Sequence, residues 1–330
     1  VPGIQDFTYA NHGKETTRGT AVAPTRKFLG DATGVLDVDP ELNFHEGENR
    51  GRRSTVVRVT QAGETVKLKL RQDLTFDDFV LPITQIKGGL TGTGGAADKT
   101  WAGAPSMTAA NLQEAHTFDV GDDTQNYRIA YCMMRSFSLK SAKGGMTSME
   151  ADLFGQHVTK PAKATPADPA VSPKIVGDHW TIKFAGTFAG LPGASVSLNF
   201  LVDHKLTVMT GLVPERYQDG NLYFGQHVET SFGGSLEMTV ESTALAISEF
   251  YDKWLAQTLD YIRLKNTSPV VLGGSFPSLQ FDFAVFYEKV EVIADQRDGI
   301  NLYKIKARLA DDLVNPLISP TLVCSLAAIP

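Results

Sequence analysis

Cysteine is nearly absent. Cys132 and Cys324 are the two thiols in 330 residues, too few for a disulfide framework and without metal-ligand spacing, so a reducing compartment is expected. Basic charge is also short. The 31 Lys and Arg against 37 Asp and Glu leave a net charge of −6, which argues against a surface that grips nucleic acid by neutralising phosphates. No uncharged apolar run approaches the roughly 20 residues needed to cross a bilayer. Val1-Pro2-Gly3 opens without the basic region and apolar core of a signal peptide, and a soluble, intracellularly made protein is expected. Apolar content of 42% and charge of 21% are those of a globular chain long enough for one large or two ordinary domains.

Catalytic signatures are missing as well. Gly92-Thr93-Gly94-Gly95-Ala96-Ala97-Asp98-Lys99-Thr100 resembles a phosphate loop, but Asp98 stands where glycine must precede the lysine, and its carboxylate would repel a phosphate. His45-Glu46 begins a zinc-protease pattern, yet Asn49 takes the second histidine position. The seven histidines are scattered, no G-x-S-x-G elbow occurs, and neither cysteine has the surroundings of a nucleophile. Asp122-Asp123 and Asp311-Asp312 read as solvated turns, and the sequon Asn266-Thr267-Ser268 is idle in a protein that is not secreted. No catalytic, cofactor-binding or metal residue is assigned, and no enzyme is expected.

What the chain does contain is a strand–helix–strand, and it contains it twice. Leu236, Met238 and Val240 alternate with Ser235, Glu237, Thr239 and Glu241, a half-buried strand with one wet face. Ser248 is the expected N-cap of a helix carrying Tyr251, Trp254, Leu255 and Leu259 on one apolar stripe. Tyr261-Ile262-Arg263-Leu264-Lys265 returns to strand. Earlier, Val66, Leu68 and Leu70 alternate in register with Leu236, Met238 and Val240, an offset of 170 (236 − 66). Thr75 with Asp78 starts a helix over Phe76, Phe79, Val80 and Ile83, which Pro82 is expected to interrupt and Gly88-Gly89 to end. Met149–Leu153 likewise answers to Ile305–Leu309, an offset of 156 (305 − 149). Charge is exchanged between the copies. Lys67, Lys69 and Arg71 stand where the second copy has Glu237, Thr239 and Glu241, while Glu150 and Asp152 answer to Lys306 and Arg308. Opposite signs on two strands suit neighbours that pair across a sheet.

The remaining segments fit a β-rich chain. Residues 1–34 read as an N-terminal arm, 35–160 as a first domain, 161–173 as a Pro-rich linker, 174–314 as a second domain and 315–330 as an apolar C-terminal arm that packs on this chain or a neighbour. Residues 35–62 supply a strand pair around a charged loop, and Asp219-Gly220 and Asp298-Gly299 mark hairpin turns.

The order of segments resembles that of the tail tube (major tail) proteins of long, non-contractile-tailed bacteriophages, in the form with two tube domains. The resemblance rests on Ala21-Val22-Ala23-Pro24-Thr25-Arg26, Thr117-Phe118-Asp119-Val120-Gly121-Asp122, Met209-Thr210-Gly211-Leu212-Val213-Pro214, the strand–helix–strand, and the Asp298-Gly299 hairpin with Ala310-Asp311. It implies a mainly β (α+β) fold of two tandem β-sandwich or β-barrel-type tube domains, each with a flanking helix. Inner sheets would join between subunits, and residues 1–30, 46–57, 213–229 and the tail would bridge stacked rings. The implied function is a structural virion component, polymerised in the host cytoplasm into the conduit for genome ejection, with no cofactor. Implied partners are further copies of itself (trimeric rings with pseudo-sixfold symmetry, or hexamers), the tail tip, tape measure and terminator proteins, and DNA passing without specific binding. No membrane is involved. Other β-rich phage components (terminator, baseplate hub, capsid decoration protein) share these features. A carbohydrate-binding β-sandwich would need Trp101, Trp180 and Trp254 as a stacking platform.

Overall fold

The computed structural model describes residues 9–28, 33–46, 56–95, 98–166, 168–169, 171–193, 196–198, 201–297 and 299–330. The first half comprises β1 (Tyr9–Lys14), β2 (Arg26–Lys27), β3 (Thr33–Asp39), β4 (Leu42–Glu46), β5 (Val56–Gln61) and β6 (Thr65–Asp73). A helical turn then leads into α1 (Val80–Ile86), followed by β7 (Thr93–Gly94), β8 (Lys99–Ala102), β9 (His116–Gly121), β10 (Asn126–Ala142), β11 (Ser148–Gly155) and β12 (His157–Thr159). The second half has β13 (Trp180–Ala185), β14 (Val196–Leu198), β15 (Leu201–Met209), β16 (Leu212–Glu215), β17 (Gln226–Glu229) and β18 (Gly233–Glu241). A helix over 244–255, here α2, precedes β19 (Asp260–Thr267), β20 (Ser278–Arg297), β21 (Ile300–Ala310) and β22 (Ile318–Cys324).

A central antiparallel sheet runs in the order β3-β6-β11-β10-β15-β18-β21-β20. Two of its strands are long enough to leave it. The first part of β10 joins an outer sheet β2-β1-β9-β10-β12. The first part of β20 joins another, β14-β13-β19-β20-β22-β8-β7. Register shifts beside Arg135 in β10 and Glu288 in β20 mark a bulge in each crossing strand, where the extra residue bends the ladder. The apolar faces and both helices enclose one core that includes Leu68, Phe79, Phe137, Leu236, Phe250 and Phe281. The fold is mainly β, as expected. It corrects the barrel alternative, because no set of pairings among the described residues closes on itself and the sheets stay open.

The two halves match ladder for ladder. β3, β6, β11 and β10 pair in the same sequence as β15, β18, β21 and β20. Hairpins β4–β5 and β16–β17 interrupt them at the same point. Thr75 Oγ1 accepts the amide of Asp78 at 3.2 Å and Thr243 Oγ1 that of Ala246 at 3.1 Å, which fixes the offset there at 168 (243 − 75). The ladders then give 154 from β11 to β21, 153 from β10 to β20 (288 − 135 at the bulges) and 170 from β3 to β15. Glu41 and Gly211, 170 apart (211 − 41), both adopt positive φ, 44° and 73°. Both offsets expected from the sequence, 170 and 156, were therefore one pleat too long. A two-residue slip preserves the faces, so the pattern could not expose it.

Other expectations need correction. Residues 9–14 are not an arm, since β1 pairs along its whole length with β9. α2 starts at Thr243 rather than Ser248, whose hydroxyl instead donates to the Leu245 carbonyl. Its middle, Ile247–Asp252, is wound as a π-helix, and the wider turn rotates the apolar stripe onto Ala246 and Phe250. Leu255 is left exposed and Leu259 lies beyond the helix. Pro82 does not break α1, because it sits in the first turn, where an amide has no partner within the helix. The C-terminal segment packs on its own chain: β22 lies between β20 and β8, and Lys14 N donates to the Pro330 carbonyl at 2.7 Å. Trp101 and Trp180 are buried and Trp254 packs against the core, so they form no stacking platform.

Candidate assembly surface

Unpaired backbone lies at two sheet edges, and paired charges lie on one sheet face. β10 and β15 form a seam where the halves meet, with Ser136 opposite Met209, Phe137 opposite Val208 and Lys140 opposite Lys205. Thr210 locks its end, its hydroxyl donating to the Met134 carbonyl at 2.6 Å and its amide to the Arg135 carbonyl at 3.0 Å. Three residues of the Met209–Pro214 stretch singled out in the sequence, Met209, Thr210 and Leu212, thus belong to the junction between halves. At the two ends of the central sheet, the outer edge of β3 and that of the second part of β20 have no strand partner among the described residues. These are the repeat counterparts of β15 and β10.

The wet face of the central sheet carries charge in strand-wise rows. Lys67, Lys69 and Arg71 on β6 face Glu150 and Asp152 on β11, with Arg71 opposite Glu150 and Lys69 opposite Asp152. Arg71 Nε donates to Glu150 Oε1 at 2.9 Å. The Glu150 carboxyl lies below its ordinary range chiefly because of that hydrogen bond, with Lys205 and Lys140 adding to it. On the other half, Glu237 of β18 lies opposite Lys306 of β21, and Arg308 meets Glu288 at 2.6 Å. The expected neighbourhood of oppositely charged strands is therefore present in both halves.

The hairpins differ in their surroundings. β16–β17 lies on the first half, where Leu212 and Phe224 share a buried cluster with Ala115, Tyr131, Met133 and Phe154. Arg216 grips Glu41 through two bonds of 2.6 and 2.5 Å, and this, with the Thr65 hydroxyl, lowers the Glu41 carboxyl to about 2. Hairpin β4–β5 instead leaves Leu42, Phe44 and Val59 exposed. Most of the loop expected at 46–57 lies outside the described residues. Neither Leu42 nor Phe286 stood out in the sequence; the available signal was the Leu42–Phe44 alternation beside a charged run, which a lone strand does not distinguish from core.

Burial pushes the Cys132 thiol well up, and burial with the nearby Asp77 charge pushes Cys324 to about 12. Among the described residues no group of three His, Cys, Asp or Glu could hold a metal ion. Asp98 of the phosphate-like loop accepts from the Ser275 hydroxyl at 2.7 Å.

The chain is thus an open-sheet β protein with two unpaired strand edges among the described residues, whose halves join strand to strand. The family model for phage tail tube proteins matches residues 8–291, 284 of the 330 residues, and the chain belongs to that family. It is a structural tail family and not an enzyme family, and membership makes the protein a virion component that assembles with itself. No curated protein matches the chain.

Proposed function

We propose that the chain polymerises, three copies per ring, into the phage tail tube that conducts the genome during ejection. The β10–β15 seam carries this reading. The free strands β20 and β3 are the counterparts of the two strands that meet there, so adding a chain repeats a junction already present within one. A head-to-tail junction of this kind generates a ring when its rotation closes, and closure removes the exposed edges. Carrying the seam register through the repeat sets Val290 of one chain opposite Val38 of the next, apolar against apolar, Lys289 opposite Asp39 and Glu291 opposite Asp37; beyond Glu291 a second register shift in β20 ends the correspondence. Each half (35–160 and 174–314, joined by 161–173) serves as one tube domain, and three chains fill six positions.

In this arrangement the charged face of the central sheet lines the lumen. Its basic rows are answered by acidic ones, and the net charge of −6 disfavours retention of phosphates. DNA therefore passes without specific binding. The chain's proposed partners are the tail tip, tape measure and terminator proteins, with assembly in the host cytoplasm and without cofactor or catalysis. Electron microscopy of the purified protein, alone and seeded with its tail tip, tests this. Rings of three chains are expected. Rings of six whole chains, or a protein that joins no tube, reject the reading.

A further inference from the structure

The seam contains a hydrophobic seat whose two sides recur, uncovered, at opposite ends of the central sheet. Leu212 begins the second hairpin and is packed in one cluster with Met133 of β10; Phe224 adds its ring 5.1 Å from Tyr131 and 5.4 Å from Phe154. The repeat carries Leu212 back 170 residues to Leu42, and Met133 forward 153 residues to Phe286. Leu212 and Met133 are 0% exposed, whereas Leu42 is 45% and Phe286 46% exposed. Val208, buried at the seam, likewise answers to the exposed Val38. Positions closed inside the chain are open at its ends. Phe44 and Val59, directly opposite each other in the β4–β5 ladder, extend the open surface from Leu42 into an apolar stripe.

We propose that this stripe docks on Phe286 of a second copy of the chain, its neighbour within the ring, as Leu212 docks on Met133 within one chain. The inference deepens the tube reading and rests on it. Leu42 follows the last residue of β3, Asp39, by three positions, so pairing β3 with the neighbour's β20 delivers the stripe to Phe286. One departure sharpens the claim. Thr210 answers to Pro40, which has neither an amide hydrogen nor a hydroxyl. The bonds that lock the internal seam are thus missing between chains, and the apolar contact carries more of the junction.

The direct test is a Leu42→Cys/Phe286→Cys variant, oxidised after assembly; the two natural thiols are buried. Disulfide-linked species that stop at the number of chains in one ring are expected. Tubes without the cross-link, or products extending indefinitely as axial contacts between rings would give, overturn the inference while leaving the tube reading intact. Failure of the unmodified chain to assemble overturns both. If the cysteine variant itself does not assemble, Leu42→Ser and Leu212→Ser decide. Leu42→Ser should melt with the parent yet lose at least tenfold in assembly, whereas Leu212→Ser should lower the melting temperature of the monomer. A Leu42→Ser chain that assembles like the parent rejects the seat.

Discussion

Lys69 and Asp152 lie directly opposite each other across the β6–β11 ladder, and the same two positions of the second half hold Glu237 and Lys306, also directly opposite. The repeat has thus kept a cross-strand charge pair while reversing both signs. A change of one sign alone would set like charges opposite, which is destabilising. Lys69→Glu should therefore lower stability, and Lys69→Glu with Asp152→Lys should restore it. The coupling expected in a double-mutant cycle, read by urea melts of the monomer, is roughly 0.2–1 kcal/mol. Strict additivity would show that the pair is a bystander.

The halves share a core. Phe79, just before α1, meets Phe137 of β10 edge-on at 6.0 Å and Phe281 of β20 at 5.5 Å. Unfolding should therefore be a single cooperative transition, and Phe79→Ala should cost about 3–5 kcal/mol. Calorimetry resolving two separate transitions, with the variant shifting just one, would refute the shared core.

These relationships were unevenly legible in the sequence. β6, β11, β18 and β21 could be read because their wet faces alternate with Val66–Leu70, Met149–Leu153, Leu236–Val240 and Ile305–Leu309. Period-two alternation is blind to a slip of two, and both repeat offsets slipped by that amount; the Thr75 and Thr243 caps resolve it. Of the expected α2 stripe Tyr251 and Trp254 pack against the core, but a π-turn at 247–252 breaks the 3.6-residue period, bringing Phe250 inward and leaving Leu255 exposed. The seam was invisible, since whether Met133 or Phe286 is covered depends on which strand lies beside it. That is a property of the sheet and not of the local residues.

Acid should weaken the fold through buried histidines. Burial, with the neighbouring His116 and Arg26, lowers His12 well below 6.5, and burial lowers His116 and His204 to about 3. The unfolded chain takes up protons at these sites from about pH 6.5 downward while the folded chain does not, so stability falls as pH drops from 6.5 toward 3. Each group contributes up to about 1.4 kcal/mol per pH unit in that window. Urea melts between pH 7 and 4.5 should show the decline, and His204→Leu should flatten it. An unchanged slope in that variant would mean that His204 does not titrate in this way.

The C-terminal strand should be a structural part of the monomer and not a free arm. Ser325 donates to the Asp77 carboxylate from its amide at 3.0 Å and its hydroxyl at 2.6 Å, and Trp101 Nε1 donates to the Leu326 carbonyl at 3.3 Å. Asp77 is buried, with the Arg26 guanidinium 3.7 Å away. Removing residues 318–330 would unpair β20 and β8, expose Trp101 and strip Asp77 of both Ser325 donors. A buried carboxylate left with fewer partners is costly, on the order of 1–3 kcal/mol for each lost donor. The truncated chain should therefore melt well below the parent and show red-shifted tryptophan emission even when monomeric. If it instead melts like the parent and fails only to assemble, the segment acts between chains and its packing here contributes little to folding.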